Sequence, residues 1–130
     1  MASVTISSEV DIVEARQIGR EISRQLGFGL TDQARITTGI SELARNILVY
    51  AGSGRVNIQI IEANGRQGIE ILAEDKGPGI ANLDQALTDG FSSARGLGMG
   101  LPGTKRLMDE FYIETNLGMG TQVVARKWLD

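Results

Sequence analysis

Apolar positions recur along this chain in two distinct periods, and the switches between them lay out its elements. Val4 and Ile6 alternate with polar neighbours over residues 1–7, the period-two pattern of a short edge strand. Ser8 follows, with Asp11 three residues on as its capping-box partner. Ile12, Ala15, Gly19, Ile22 and Leu26 then recur every three to four residues, which predicts a helix stopped by Gly27 and Gly29. Thr31 opens a second expected helix reaching about residue 50, with Ile36, Ile40, Leu43 and Ile47 as its core face and Gly52-Ser53-Gly54 as its breaker. Period two returns over residues 56–61 and 69–75, joined through Asn64-Gly65, a pair suited to a tight hairpin turn. Residues 76–100 read as a glycine-rich loop with one helical turn near 83–87. A third helix is expected over 102–109, opened by Pro102, whose missing N–H does no harm in a first turn. Two closing strands, 111–115 and 121–128, are linked by Gly118-Met119-Gly120. Three helices on a mixed, largely antiparallel sheet make a two-layer α/β sandwich.

Composition narrows the chemistry. The 130 residues suit one domain, 1–130, with one core. A balance of 13 basic against 16 acidic residues lacks the positive excess of a nucleic-acid binder, so none is expected as a partner. The chain has no cysteine, which excludes a disulfide framework and a thiol nucleophile, and no histidine, which excludes an imidazole base or a phosphohistidine. No stretch approaches the ~20 apolar residues of a membrane helix, and no basic leader precedes an apolar run. No membrane association and a cytoplasmic location are therefore expected.

Three local patterns carry chemistry. On the second helix Arg35, Gly39, Glu42 and Asn46 fall on one stripe beside the apolar face, with Glu42 and Asn46 stacked one turn apart. An asparagine amide oxygen suits a hard cation such as Mg²⁺, and a carboxylate can take a proton or orient a nucleophile. A solvated polar flank is the other reading of the same pair. Asp75-Lys76-Gly77-Pro78-Gly79-Ile80 puts a carboxylate at a strand end before a glycine-hinged corner. It could accept a hydrogen bond from an exocyclic amine such as that of adenine, or simply make a tight turn. Gly96-Leu97-Gly98-Met99-Gly100 is a side-chain-poor loop entering a helix, where main-chain N–H groups and the helix dipole favour an anion, with Lys105 and Arg106 adding charge. Residues 98–103 match G-x-G-x-x-G literally, but no strand precedes them and no acid follows at the required distance, so a dinucleotide fold is excluded. No P-loop motif occurs. The long loop between the two glycine patterns suits a lid over a ligand.

In this order the patterns resemble the GHKL ATPase superfamily (gyrase and histidine-kinase type) and its Bergerat fold. Residues 32–38, 41–47, 73–75, 89–92 and 100–111 are similar to the serine/threonine switch kinases of the bacterial stressosome, and the likeness runs from about residue 11 to 128. It implies ATP and Mg²⁺ as cofactors. Asn46 would hold the metal against the nucleotide phosphates, with Glu42 as the catalytic base. Asp75 would bind adenine, assisted by Gly77, Gly79 and Thr121, while Gly96, Gly98 and Gly100 form the phosphate-binding end of the lid. Arg95 stands near the place where related anti-sigma kinases carry a phosphate-contacting arginine; a lid surface charge is its other reading. The acceptor would be a serine or threonine of a STAS-domain protein, and the kinase released afterwards would activate a PP2C-type phosphatase. Two rival readings are a nucleotide-dependent anti-sigma-like sequestering module and an isolated ATPase with water as acceptor.

Overall fold

The computed structural model describes residues 2–78 and 100–130. Its elements are β1 (Ala2–Ile6), α1 (Glu9–Leu26), α2 (Leu30–Ala51), β2 (Gly54–Ala63), β3 (Arg66–Asp75), α3 (Gly100–Leu107), β4 (Glu110–Asn116) and β5 (Gly120–Trp128). The first helix starts where the capping pattern places it. Asp11 Oδ2 accepts the N–H groups of Ser7 (2.9 Å) and Ser8 (3.1 Å), and these bonds, led by that from Ser7, hold its carboxyl below the ordinary aspartate range. The second helix starts at Leu30, capped by Gly29, with Gln33 Nε2 donating to the Phe28 carbonyl at 2.8 Å.

Sheet order is β1-β2-β3-β5-β4, with β1 at one edge as expected. Every pairing is antiparallel, so the sheet expected to be mixed has no parallel pair among the described residues. The β2–β3 ladder runs from Gly54↔Asp75 to Ala63↔Arg66 and is longer than the alternating segments suggested. Its hydrogen bonds are main-chain, so the ladder continues through polar Glu62 and Gln67 until Asn64 and Gly65, both at positive φ (53° and 76°), close the turn. Gly54, read as part of a helix breaker, is the first residue of β2.

One face of the sheet takes both long helices. Val56, Ile58, Ile69, Ile71, Ala73, Val123 and Ala125 point inward and are buried with Ile12 and Ala15 of α1 and with Ile36, Ile40, Leu43, Ala44 and Ile47 of α2. Ile22 and Leu26, expected in the α1 stripe, are only partly buried. Ser23 is fully buried beside them, its hydroxyl satisfied by the Arg20 carbonyl at 2.9 Å. A hydroxyl paired within its own helix packs as a small residue, which periodicity of apolar residues cannot register.

The opposite face carries a charged row. Glu70, Arg126 and Glu110 stand directly across from one another, with Arg126 bonded to Glu70 (2.8 Å) and Glu110 (3.2 Å) and its guanidinium over the Tyr112 ring. The Trp128 indole N–H also donates to Glu110. That bond, with smaller contributions from Arg126 and Tyr112, outweighs desolvation and holds the Glu110 carboxyl below the ordinary glutamate range.

The third helix begins two residues earlier than expected. Leu101 to Thr104 are buried, so its first turn is seated by packing, and Lys105 and Arg106 lie in its last turn. There they complement the helix's own carbonyl end; they do not add charge at its amino end. Gly39 is where α3 meets α2: a methyl placed on it would sit 3.5 Å from Met108 Sδ and 3.8 Å from Thr104 Cγ2, ordinary contact distances. Gly39→Ala is therefore expected to stabilise the protein by about 0.5–1 kcal/mol, the usual gain for replacing a mid-helix glycine. A thermal melt should show Tm rising by roughly 2–5 °C, and a fall would mean the α2–α3 contact has no such room. The acid limb follows from Glu110. Its folded value lies below the unfolded one, so its stabilisation is complete above about pH 5 and lost as pH falls through the folded value. Emission from Trp128, the single tryptophan, should hold steady down to that range and shift at lower pH. A Glu110→Gln variant that titrates identically would refute the assignment.

Candidate functional site

Asp75 ends β3 on the helix-facing side of the sheet, in one row with Gly54 of β2 and Thr121 of β5. The row continues to Thr115 of β4, whose hydroxyl lies 2.9 Å from that of Thr121. Beyond Asp75 the chain turns at once, and the Gly77 N–H donates to Asp75 Oδ1 at 2.9 Å. This ties down one carboxylate oxygen and orients the other, Oδ2, away from the Gly77 N–H. The corner is pinned from the far side by Gly118, whose N–H donates to the Pro78 carbonyl at 2.8 Å.

Across from this corner runs the last third of α2. Leu43, Asn46, Ile47 and Tyr50 face Ala73, Asp75, Thr121, Val123 and Leu101 of α3 around a mostly apolar recess. Helix and strand periodicities bring this about, since Leu43, Ile47 and Tyr50 recur at three and four residues, as Ala73 and Asp75 recur at two. Inside it, both amide atoms of Asn46 are buried and neither has a hydrogen-bond partner among the described residues. A buried amide left without any partner costs on the order of 1–3 kcal/mol per group, a cost that a ligand or a water in the recess would offset. The recess is small, about 30 Å³, room for roughly one water. Asp75 and Thr121 also line a larger groove of about 650 Å³ that includes Arg55, Lys76 and Gln122.

The structure brings Asn46, Asp75 and Thr121 to one cavity and sets Gly77 on the carboxylate. Gly100 opens α3, next to the recess-lining Leu101. Glu42 is half-buried one turn before Asn46 and does not line the recess. Gly79, Arg95, Gly96 and Gly98, with the expected lid and the turn near 83–87, lie outside the described residues. Two lining residues escaped the sequence reading. Tyr50 stands four residues after Asn46 on the same helix stripe, a signal that was available; Leu101 was legible only as a spacer in the glycine pattern. Among the described residues no three His, Cys, Asp or Glu side chains converge on a metal position. A single amide oxygen, that of Asn46, would suit a Mg²⁺ site in which the protein supplies few ligands.

Comparison with known proteins places the chain in a family. The model of the histidine kinase-like ATPase domain matches residues 6–127. The serine/threonine-protein kinase RsbT of Bacillus subtilis is 56% identical over 126 residues, 97% of this chain and 95% of that protein. The anti-sigma F factor of Clostridium kluyveri is 31% identical over 108 residues, 79% of this chain and 75% of that protein. Among solved structures, the RsbU and RsbW domains of a Mycobacterium tuberculosis protein align with a TM-score of 0.63 at 16% identity, covering 100% of this chain and 34% of that one, a likeness of fold. The apolar recess, its buried amide and its strand-end carboxylate thus sit in a chain that belongs to the histidine kinase-like ATPase domain family, within its branch of RsbT-type serine/threonine protein kinases.

Proposed function

We propose that this kinase transfers the γ-phosphoryl group of ATP to a serine or threonine of a STAS-domain protein, and that release from its phosphorylated partner frees it to activate a PP2C-type phosphatase. The observation that carries the reading is the unpaired, buried Asn46 amide sharing one recess with Asp75. Asp75 Oδ2 accepts the exocyclic amine of adenine, with the ring between the α2 side chains and Thr121. Asn46 faces the metal-bearing phosphates, and the start of α3 at Gly100 offers main-chain N–H groups to them. Mg²⁺, when bound, neutralises the phosphate oxygens and aligns them for in-line transfer. Glu42 takes the acceptor hydroxyl's proton. Phosphoryl transfer asks mainly for positioning and charge neutralisation, so this short set of residues suffices. A phosphate placed on the partner brings about −1.5 to −2 charges to the interface and drives the two proteins apart.

The similarity to anti-sigma F factors supports a second reading, in which the chain sequesters a partner when nucleotide is bound and catalysis is dispensable. Following ATP labelled on its γ-phosphate separates them: label on a serine or threonine of the STAS protein supports the kinase, whereas stable complexes without label on either protein support sequestration. Release of all the label as inorganic phosphate without a partner would overturn both.

Asp75→Asn is expected to abolish ATP binding in calorimetry, because it replaces the acceptor facing the amine with a donor. Asn46→Ala should abolish transfer while Tm holds or rises, since it deletes two buried orphans; undiminished transfer would remove Asn46 from the metal. Glu42→Gln should slow transfer by roughly 10²-fold or more with ATP affinity intact, and an unchanged rate would discard the base assignment.

A further inference from the structure

We infer that Gly54 and Gly120 are positioning residues for Asp75, setting where its carboxylate stands against α2; the inference rests on the reading that Asp75 receives the adenine amine. A methyl on Gly54 would lie 2.5 Å from the Glu74 carbonyl oxygen, 2.7 Å from Ile47 Cγ2 and 3.1 Å from Asp75 Cβ. On Gly120 it would lie 2.1 Å from the Asp75 carbonyl oxygen, 2.8 Å from Lys76 Cα and 2.9 Å from the Asp75 carbonyl carbon. Five of these six contacts are to atoms of residues 74–76 themselves, four of them main-chain, with no flexible side-chain end to yield. A side chain at either position must therefore displace the strand end that carries the carboxylate.

The two glycines act from different directions. Gly54 is the β2 residue opposite Asp75, and its missing side chain lets Ile47, one residue after Asn46, come down beside the carboxylate. It thus sets the gap between the helix that bears Asn46 and the strand that bears Asp75. Gly120 precedes Thr121, the β5 residue opposite Asp75, and its φ of +119° lets the β4–β5 turn fold against Asp75 and Lys76. A methyl on Gly77 would also meet Asp75, at 3.2 Å from Oδ1, but its sharpest contact is with Ala51 Cβ at 2.6 Å, whereas one on Gly52, Gly65 or Gly118 would have nothing within 4 Å and one on Gly39 would meet only ordinary contacts. Gly68 is also tight, 2.7 Å from the Lys127 carbonyl oxygen and 2.8 Å from the Trp128 ring, but it sits toward the far end of β3, about 24 Å away at ~3.4 Å per residue. It is a built-in control for sheet packing without positioning.

The test measures ATP and GTP affinity by calorimetry on the full chain carrying Gly54→Ala, Gly120→Ala, Gly68→Ala or Asp75→Asn, with a thermal melt of each. GTP carries a carbonyl where ATP carries the amine, so the affinity ratio reports the carboxylate's placement and not fold stability. Gly54→Ala and Gly120→Ala are expected to weaken ATP at least tenfold and bring the ATP-to-GTP ratio toward one, while Gly68→Ala lowers Tm and leaves the ratio unchanged. Wild-type affinity and ratio in both Gly54→Ala and Gly120→Ala, with Asp75→Asn unable to bind, would overturn positioning and leave the role of Asp75 standing. An equal change of ratio in Gly68→Ala would overturn it too. Wild-type binding by Asp75→Asn would instead remove the reading on which the inference rests. Should neither Gly54→Ala nor Gly120→Ala fold, Asp75→Glu decides: a fixed corner predicts at least a tenfold loss for a carboxylate moved by one methylene, and wild-type affinity would overturn it.

Discussion

The seating of α2 on the inner face of the sheet is the constraint from which the site follows. Ile36, Ile40, Leu43, Ala44 and Ile47 form an unbroken buried stripe against the sheet's own Ile58, Ile71 and Ala73. Burying each large side chain contributes roughly 1.5–3 kcal/mol, and truncating one costs about 2–5 kcal/mol, against a net stability near 5–15 kcal/mol for a domain. The helix therefore has one acceptable depth and rotation. With those set, Asn46 and Tyr50, flanking the last buried turn, can only face the end of β3.

That position puts polar atoms where the packing alone would place carbon. The amide of Asn46 enters the recess with no hydrogen-bond partner among the described residues, and Asp75 has one oxygen tied to the Gly77 N–H. Gly54, Gly77 and Gly120 crowd closely about Asp75, where any larger side chain would meet its atoms. The stabilising interactions lie elsewhere, in the isoleucine-rich core and in the Glu70–Arg126–Glu110 row on the opposite face. Such a division, a rigid apolar scaffold holding a small polar corner, is what a preorganised binding site requires.

The two sides of the recess also differ in how firmly they are held. Asp75 lies in a fully paired ladder, with β2 on one side and β5 on the other. Leu101 belongs to an eight-residue helix that packs mainly on α2 through Thr104 and Met108 at Gly39.

Periodicity determined much of this protein. A helix buries every third or fourth residue and a strand every second, so α1, α2, the β2–β3 hairpin with its Asn64-Gly65 turn, and the closing strands were legible from residue type alone. Asn46 and Asp75 were legible as chemistry out of place, an amide beside an apolar stripe and a carboxylate before glycines, while Thr121 entered only through the family resemblance. Their meeting in one cavity was not legible, because it depends on the order β1-β2-β3-β5-β4 and on the depth of α2, which many long-range contacts set together. The parts played by Leu101, by buried Ser23 and by Gly54 were likewise decided only in three dimensions. A glycine's role there is the space it leaves for atoms distant in the chain, and nothing in the local sequence records what will fill that space.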